Sequence, residues 1–205
     1  MVSTQQDKKK SWNAIMDAYT QELTACVIEL CHKHLQIYSK HGPAWLIYGE
    51  ALYEMKRFSD AVEALQKAIA LCPEEKQYQP YVWLGHVYKD MGQYQQAESW
   101  YRKALTVAPP DDADFWIFLA SNYFYMGDIQ QAEENVRKAI VCSEGRRDEA
   151  YYNLGGYLLV QQRYEEAEQC YQHALELDPD YEVAKLRLKD VQQVLVLLQS
   201  EKASS

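Results

Sequence analysis

Small residues recur in this chain at one interval, and that interval sets what it can fold into. Gly49, Gly85, Ala120 and Gly155 stand 36, 35 and 35 residues apart. Twelve residues after each comes an alanine (Ala61, Ala97, Ala132, Ala167), and seven further on another (Ala68, Ala104, Ala139, Ala174). Five beyond those stand Pro73, Pro109, Glu144 and Pro179. The small residues mark where two helix backbones come close. Large ones fill the holes between: Trp45, Tyr81, Trp116 and Tyr151 on a first helix, Phe58, Tyr94, Ile129 and Tyr164 at the start of a second. Lys56-Arg57, Gly92-Gln93, Gly127-Asp128 and Gln162-Arg163 mark the turns. Glycine suits a left-handed helix end, so Lys56 and Gln162 are expected to cost a little there. Each proline ends its second helix. The third copy lacks that proline, and Gly145 is expected to end its helix instead.

This spacing matches the tetratricopeptide pattern of about 34 residues, and the chain resembles the tetratricopeptide repeat family over residues 42–181. The resemblance implies an all-α, right-handed α-solenoid with repeats at 42–75, 78–111, 113–146 and 148–181. One copy cannot bury its apolar face alone; stacked neighbours make one core. Residues 1–10 are polar and expected to be disordered. Residues 11–41 read as helical, with Ser11 as N-cap. They are either a capping segment or a degenerate repeat, whose register would run through Tyr19, Cys31, Tyr38 and Pro43. A capping helix follows at 182–199, then a disordered tail at 200–205. Within that helix the run Val194 to Leu198 is apolar nearly all round, which suggests a homodimer contact.

A net charge of −9 with a pI near 5.1 argues against nucleic acid, which selects basic surfaces. The five cysteines include no CxxC pair and read as small buried residues of a reducing compartment. The basic N-terminal cluster has no apolar stretch after it, so no signal peptide is read. No run reaches the ~18 apolar residues of a membrane span. The expected location is cytoplasmic.

No catalytic set stands up. Cys31-His32-Lys33-His34 has a metal-like composition. On a helix, however, neighbours point about 100° apart, and Cys31 with His34 would give two ligands, too few for structural zinc. The reading is an ordinary helix with two solvent-facing histidines. Gly155-Gly156 falls inside a first helix, not in a phosphate loop. The chain is expected to be no enzyme, with no cofactor and no metal.

What remains is surface. The resemblance implies that first helices line a concave groove. In the first copy this gives Pro43, Leu46, Glu50, Tyr53 and Glu54; in the second, Gln79, Val82, His86, Lys89 and Asp90. The third gives Asp114, Ile117, Ser121, Phe124 and Tyr125, and the fourth Glu149, Tyr152, Gly156, Leu159 and Val160. These positions follow helical periodicity and form one face. That face is aromatic and acidic, which suits a peptide or helix with apolar anchors and net positive charge. Some of its rings could instead pack under a terminal helix. Family members that grip a chaperone's C-terminal carboxylate use Lys, Asn and Arg; the matching places here hold Leu46, Glu50, Trp83, Asp114 and Phe118. The expected function is a non-catalytic protein-interaction scaffold or adaptor. The alternatives are a dedicated chaperone of an exported client, since bacterial secretion chaperones have a similar architecture, or a self-associating subunit.

Overall fold

The computed structural model describes residues 4–109 and 111–204, with side chains described to residue 201. The chain divides into two compact units, Met1–Ala108 and Pro109–Ser205. The first holds α1 (Gln5–Thr20), α2 (Thr24–Ile37), α3 (Gly42–Glu54), α4 (Phe58–Leu71), α5 (Tyr78–Asp90) and α6 (Tyr94–Val107), with a short 3-10 turn at Glu74–Lys76. The second holds α7 (Ala113–Tyr125), α8 (Ile129–Ile140), α9 (Arg147–Val160), α10 (Tyr164–Leu177) and α11 (Glu182–Ser204). In the first unit each helix packs on its successor. In the second, α7 packs on α8 and α9, α9 on α8 and α10, and α10 on α11.

Each second helix opens on the large residue read from the spacing: Phe58, Tyr94, Ile129 and Tyr164. The turn before it has one repeated geometry. Lys56, Gly92, Gly127 and Gln162 all take φ between 59° and 80°. The next residue's N–H donates to a carbonyl five residues back: Arg57 to Leu52, Gln93 to Tyr88, Asp128 to Tyr123 and Arg163 to Leu158, at 2.8–3.0 Å. This double closure satisfies carbonyls that a bare helix end leaves open. Gln162→Gly is therefore expected to stabilise by about 0.5–1 kcal/mol, since a side chain in the left-handed region costs roughly that much. The urea midpoint of the two chains measures it. Lys56→Gly should gain less, because Lys56 Nζ lies 3.4 Å from Asp90 and 5.2 Å from the Tyr53 ring.

The same closure occurs a fifth time. Glu22 has φ 56°, and Leu23 N–H donates to Ala18 at 3.0 Å. The segment before the first copy is thus a hairpin of the same design. Counting from that turn places Ile15, Val27 and His34 where the copies carry Gly49, Ala61 and Ala68. This corrects the register through Tyr19, Cys31, Tyr38 and Pro43, which slid along the chain to find small or proline positions that the hairpin lacks. Ile15, Ala18, Val27, Cys31, Leu35, Ala44 and Ala51 share one buried cluster under α1.

Other expectations at the ends are corrected too. Helix α1 begins at Gln5, inside the stretch read as disordered. Thr4 caps it by accepting from Asp7 N–H, while the Asp7 carboxylate accepts from Thr4 N–H. That capping box offsets a polar first turn. Ser11 is then mid-helix, not an N-cap. Residues 1–3 and 205 of the two expected disordered ends lie outside the described residues, and α11 runs on to Ser204. In the third copy α8 already stops at Ile140. Gly145 lies five residues later, beside a bridge pairing Asp112 with Glu144.

Small positions take their size from the second helix. A Cβ on Gly85 would stand 2.3 Å from the Tyr101 ring, and one on Gly155 2.7 Å from Tyr171; for Gly49 the neighbour is Leu65 at 2.7 Å. One step before the second alanine of each copy, a cation or imidazole sits against an aromatic face. Lys67 Nζ lies 4.3 Å from Trp45, Lys103 3.9 Å from Trp100 and Lys138 5.0 Å from Trp116. In the fourth copy His173 meets Tyr151 at 5.2 Å.

Candidate functional site

The groove positions read from the sequence separate into three kinds. Leu46 and Ile117 are core, with 9% and 2% of their surface exposed; they are corrected out of any partner-binding set. Helical periodicity puts them on the right face but cannot say how deep that face is covered.

A second kind is already engaged in the first unit. Tyr19 OH donates to Glu50 Oε1 at 2.6 Å, and Thr24 Oγ1 to Glu54 Oε2 at 2.6 Å. Tyr53 OH donates to Asp90 Oδ2 at 2.8 Å. Burial raises the Glu50 carboxyl above its ordinary value, against the lowering effect of the Tyr19 hydrogen bond. His86 Nδ1 is 2.8 Å from Tyr101 OH, with its ring 5.4 Å from Trp83. Val82 and Lys89 are half-buried. Beside these, a cleft of about 580 Å³ is lined by Tyr19, Thr20, Glu22, Thr24, Val27, Ala51 and Glu54. Most of that lining comes from the α1–α2 hairpin, which the sequence reading left out of the groove.

The third kind converges in the second unit. Ser121, Phe124 and Tyr125 of α7, with Tyr152 and Leu159 of α9, line one cleft of about 530 Å³. Asn153, Gly156, Tyr157, Val160, Tyr171 and Arg187 complete its wall. Phe124 stacks on Tyr157 at 5.1 Å between centroids, which fixes its ring. Tyr125 next to it keeps 58% of its surface exposed. Tyr152 meets Tyr181 at 5.2 Å and Arg187 of α11 lines the same cleft, so the C-terminal segment covers one flank of it. The Asp114 and Glu149 carboxylates are both taken by Arg146, whose Nε lies 3.2 Å from Asp114 Oδ1 and whose Nη1 also pairs with Glu149. The wall is therefore aromatic with one cation, not acidic.

His34 also departs from the sequence reading. It is buried, with 2% exposed, while His32 faces solvent as read. Among the described residues no three His, Cys, Asp or Glu side chains converge as a metal site. No helix among them is long and apolar enough to cross a membrane.

The architecture has known counterparts. MamA from residue 41 onward, of Desulfovibrio magneticus RS-1, superposes with a TM-score of 0.71 at 17% identity, over 85% of this chain and 96% of that one. A thermophilic tetratricopeptide repeat protein of Thermus thermophilus superposes with 0.70 at 18% identity, over 91% and 99%. YrrB, described as a tetratricopeptide repeat protein with an unusual peptide-binding site, gives 0.63 at 17% identity, over 87% and 90%. At these identities the likeness is one of fold. No curated protein matches in sequence. Models of the tetratricopeptide repeat match residues 42–75, 78–111, 113–140 and 148–181. With its all-helical hairpins, the chain belongs to the tetratricopeptide repeat family, an α-solenoid fold that serves as a protein-interaction scaffold.

Proposed function

We propose that this chain is a non-catalytic adaptor that binds a peptide or helical segment of a partner protein in the cleft between α7 and α9. The observation that carries this is the cleft itself: seven residues read as groove-lining from the sequence share it. Tyr125 and Leu159 offer apolar area to an incoming side chain, and Phe124 is pre-ordered by its stack on Tyr157. Ordered aromatic rings lose little entropy on binding, which is why few of them carry much of an interface's energy. YrrB shows that a protein of this fold can carry a peptide-binding site. The partner is expected to be basic overall. The source of that preference is the net charge of −9, acting at long range on encounter, rather than acids inside the cleft. The reading places the protein in the cytoplasm.

The test is capture from the native source, with wild type beside Phe124→Ala/Tyr125→Ala, followed by titration of the partner found. The double variant is expected to weaken binding by about 2 kcal/mol, or roughly thirtyfold, and added salt to slow association. A partner that binds the variant as tightly as wild type, with the variant still melting cooperatively, rules the cleft out.

A second reading rests on α11. Val183, Leu186, Val196 and Leu197 are 49–64% exposed on it, more apolar surface than a helix with one wet face needs. Self-association through that face would make the protein a structural subunit. A monomer by light scattering at high concentration excludes it.

A further inference from the structure

The N-terminal hairpin carries a device that the four copies lack. Where they place Ala68, Ala104, Ala139 and Ala174, it places His34, buried against α1. The ring joins three elements. The Ser11 hydroxyl of α1 donates to the Lys8 carbonyl at 3.1 Å, so its oxygen accepts from His34 Nδ1–H at 2.7 Å. His34 Nε2 then accepts from Nδ1–H of His41, the residue just before α3, at 2.8 Å. Trp12 of α1 closes over the pair, edge-on to His41 at 4.8 Å, and Tyr38 of α2 lies 4.8 Å from His34.

This network has room for two neutral rings. A proton added to His34 Nε2 meets the His41 N–H unless His41 turns its own proton to the far nitrogen, so the pair holds one charge at most. The other titratable or charged groups facing the pair are Lys8 from α1 and Tyr38 from α2. Lys8 is a cation, and its Nζ sits 6.0 Å from the Tyr38 ring. Among the described residues no carboxylate bonds either ring. A docked imidazolium would therefore be desolvated beside a like charge.

We propose that α1 is a proton-released cover: charging the His34–His41 pair undocks α1 from α2 and bares the apolar face of Val27, Cys31 and Leu35. The inference is independent of the cleft in the second unit. Geometry sets the direction, and the ionisation agrees. Burial first, then Lys8, lowers His34 below 6.5, and the same causes push His41 down to about 4. Groups lowered in the docked state favour docking fully above the free value of 6.5. That preference is lost as pH falls from there toward the docked value. Release also withdraws Tyr19 from Glu50.

The chain carries its own reporter. Cys31 is fully buried under α1, whereas Cys26 on the same helix is exposed. The intact protein is treated briefly with 4,4′-dithiodipyridine at pH values from 7.5 to 4.5, and each cysteine is quantified by mass spectrometry. The ratio of Cys31 to Cys26 labelling cancels the thiols' own pH dependence. It is expected to rise about tenfold between pH 7.5 and 5, with Cys72, Cys142 and Cys170 still protected. Two variants are read the same way. His34→Gln keeps hydrogen-bonding atoms but leaves only His41 to titrate, and its rise should be clearly smaller than that of the wild type. Lys8→Glu gives the imidazolium a counter-charge, brings the docked value back toward the free one, and should shrink the rise. A ratio flat to pH 4.5 would overturn the proposal. So would Cys72 opening together with Cys31, or an undiminished rise in either variant, His34→Gln or Lys8→Glu.

Discussion

Gly85→Ala is expected to lower the stability of the first unit by about 2–3 kcal/mol, the cost of overpacking a site that cannot relax. In an ordinary helix the same change would gain roughly 1 kcal/mol, so the sign itself is informative. The added methyl would stand 2.3 Å from the Tyr101 ring. Tyr101 has no escape: its surface is 1% exposed, and its hydroxyl is held at 2.8 Å by His86. Urea unfolding followed by tryptophan emission reads this unit, because Trp12, Trp45, Trp83 and Trp100 all precede residue 109. The pair should couple. Tyr101→Val on the Gly85→Ala background should recover more than 1 kcal/mol relative to additivity, since the third copy lives with Ala120 and Val136 at these two places. A neutral Gly85→Ala would mean that Tyr101 can move, and that small positions here reflect helix choice rather than contact.

Gly145→Ala is expected to cost about 2–4 kcal/mol, the sum of a left-handed backbone bearing a side chain and a steric overlap. Gly145 has φ 84°, and its Cβ would lie 2.6 Å from Asp112 Oδ1 and 2.9 Å from Ala113 N. The surroundings are pinned. Ala113 N–H donates to the Glu144 carbonyl at 3.0 Å, and Glu144 N–H to the Asp111 carbonyl at 3.2 Å. Asp112 is also the N-cap of α7, accepting from Asp114 N–H at 2.9 Å. Moving it aside therefore loosens the start of the helix that carries Phe124 and Tyr125. Gly127→Ala makes the control: φ is 80° there, but nothing stands within 4 Å of the added carbon, so only the backbone cost of about 1 kcal/mol applies. Unfolding is read from Trp116, the one tryptophan after residue 108. Equal losses at both glycines would show that the Asp112–Glu144 bridge is soft.

The contrast between these glycines shows what could be read without coordinates. The helix starts at Phe58, Tyr94, Ile129 and Tyr164 followed from spacing, because close helix approach demands small residues at fixed places. The hairpin before Gly42 did not, since its turn rests on Glu22 and its contact positions on Ile15 and His34. A backbone closure made of main-chain hydrogen bonds leaves little trace in side-chain identity. His34 is the sharper case: its residue type says solvent, and only the partners Ser11 and His41, from other elements, make burial tolerable. In the cleft, periodicity found the face but not its depth, so Leu46 and Ile117 were grouped with Tyr125. Arg187 and the α1 residues come from flanking helices outside the repeat's numbering, so the repeat pattern does not mark them. The acids near the groove were read as free charges. Arg146, Tyr19 and Tyr53 occupy four of them, and sequence distance gives no sign of such pairings.

The lysines stacked on indoles bear on how the protein is handled at the bench. Lys67, Lys103 and Lys138 hold their ammonium groups against Trp45, Trp100 and Trp116. Reagents that acylate amines, including those used to couple proteins to sensor surfaces or dyes, turn an ammonium into a neutral amide and abolish its attraction to a ring. For this chain such coupling is a triple perturbation spread over both units. Attachment through a terminal tag or through the exposed Cys26 leaves these stacks in place.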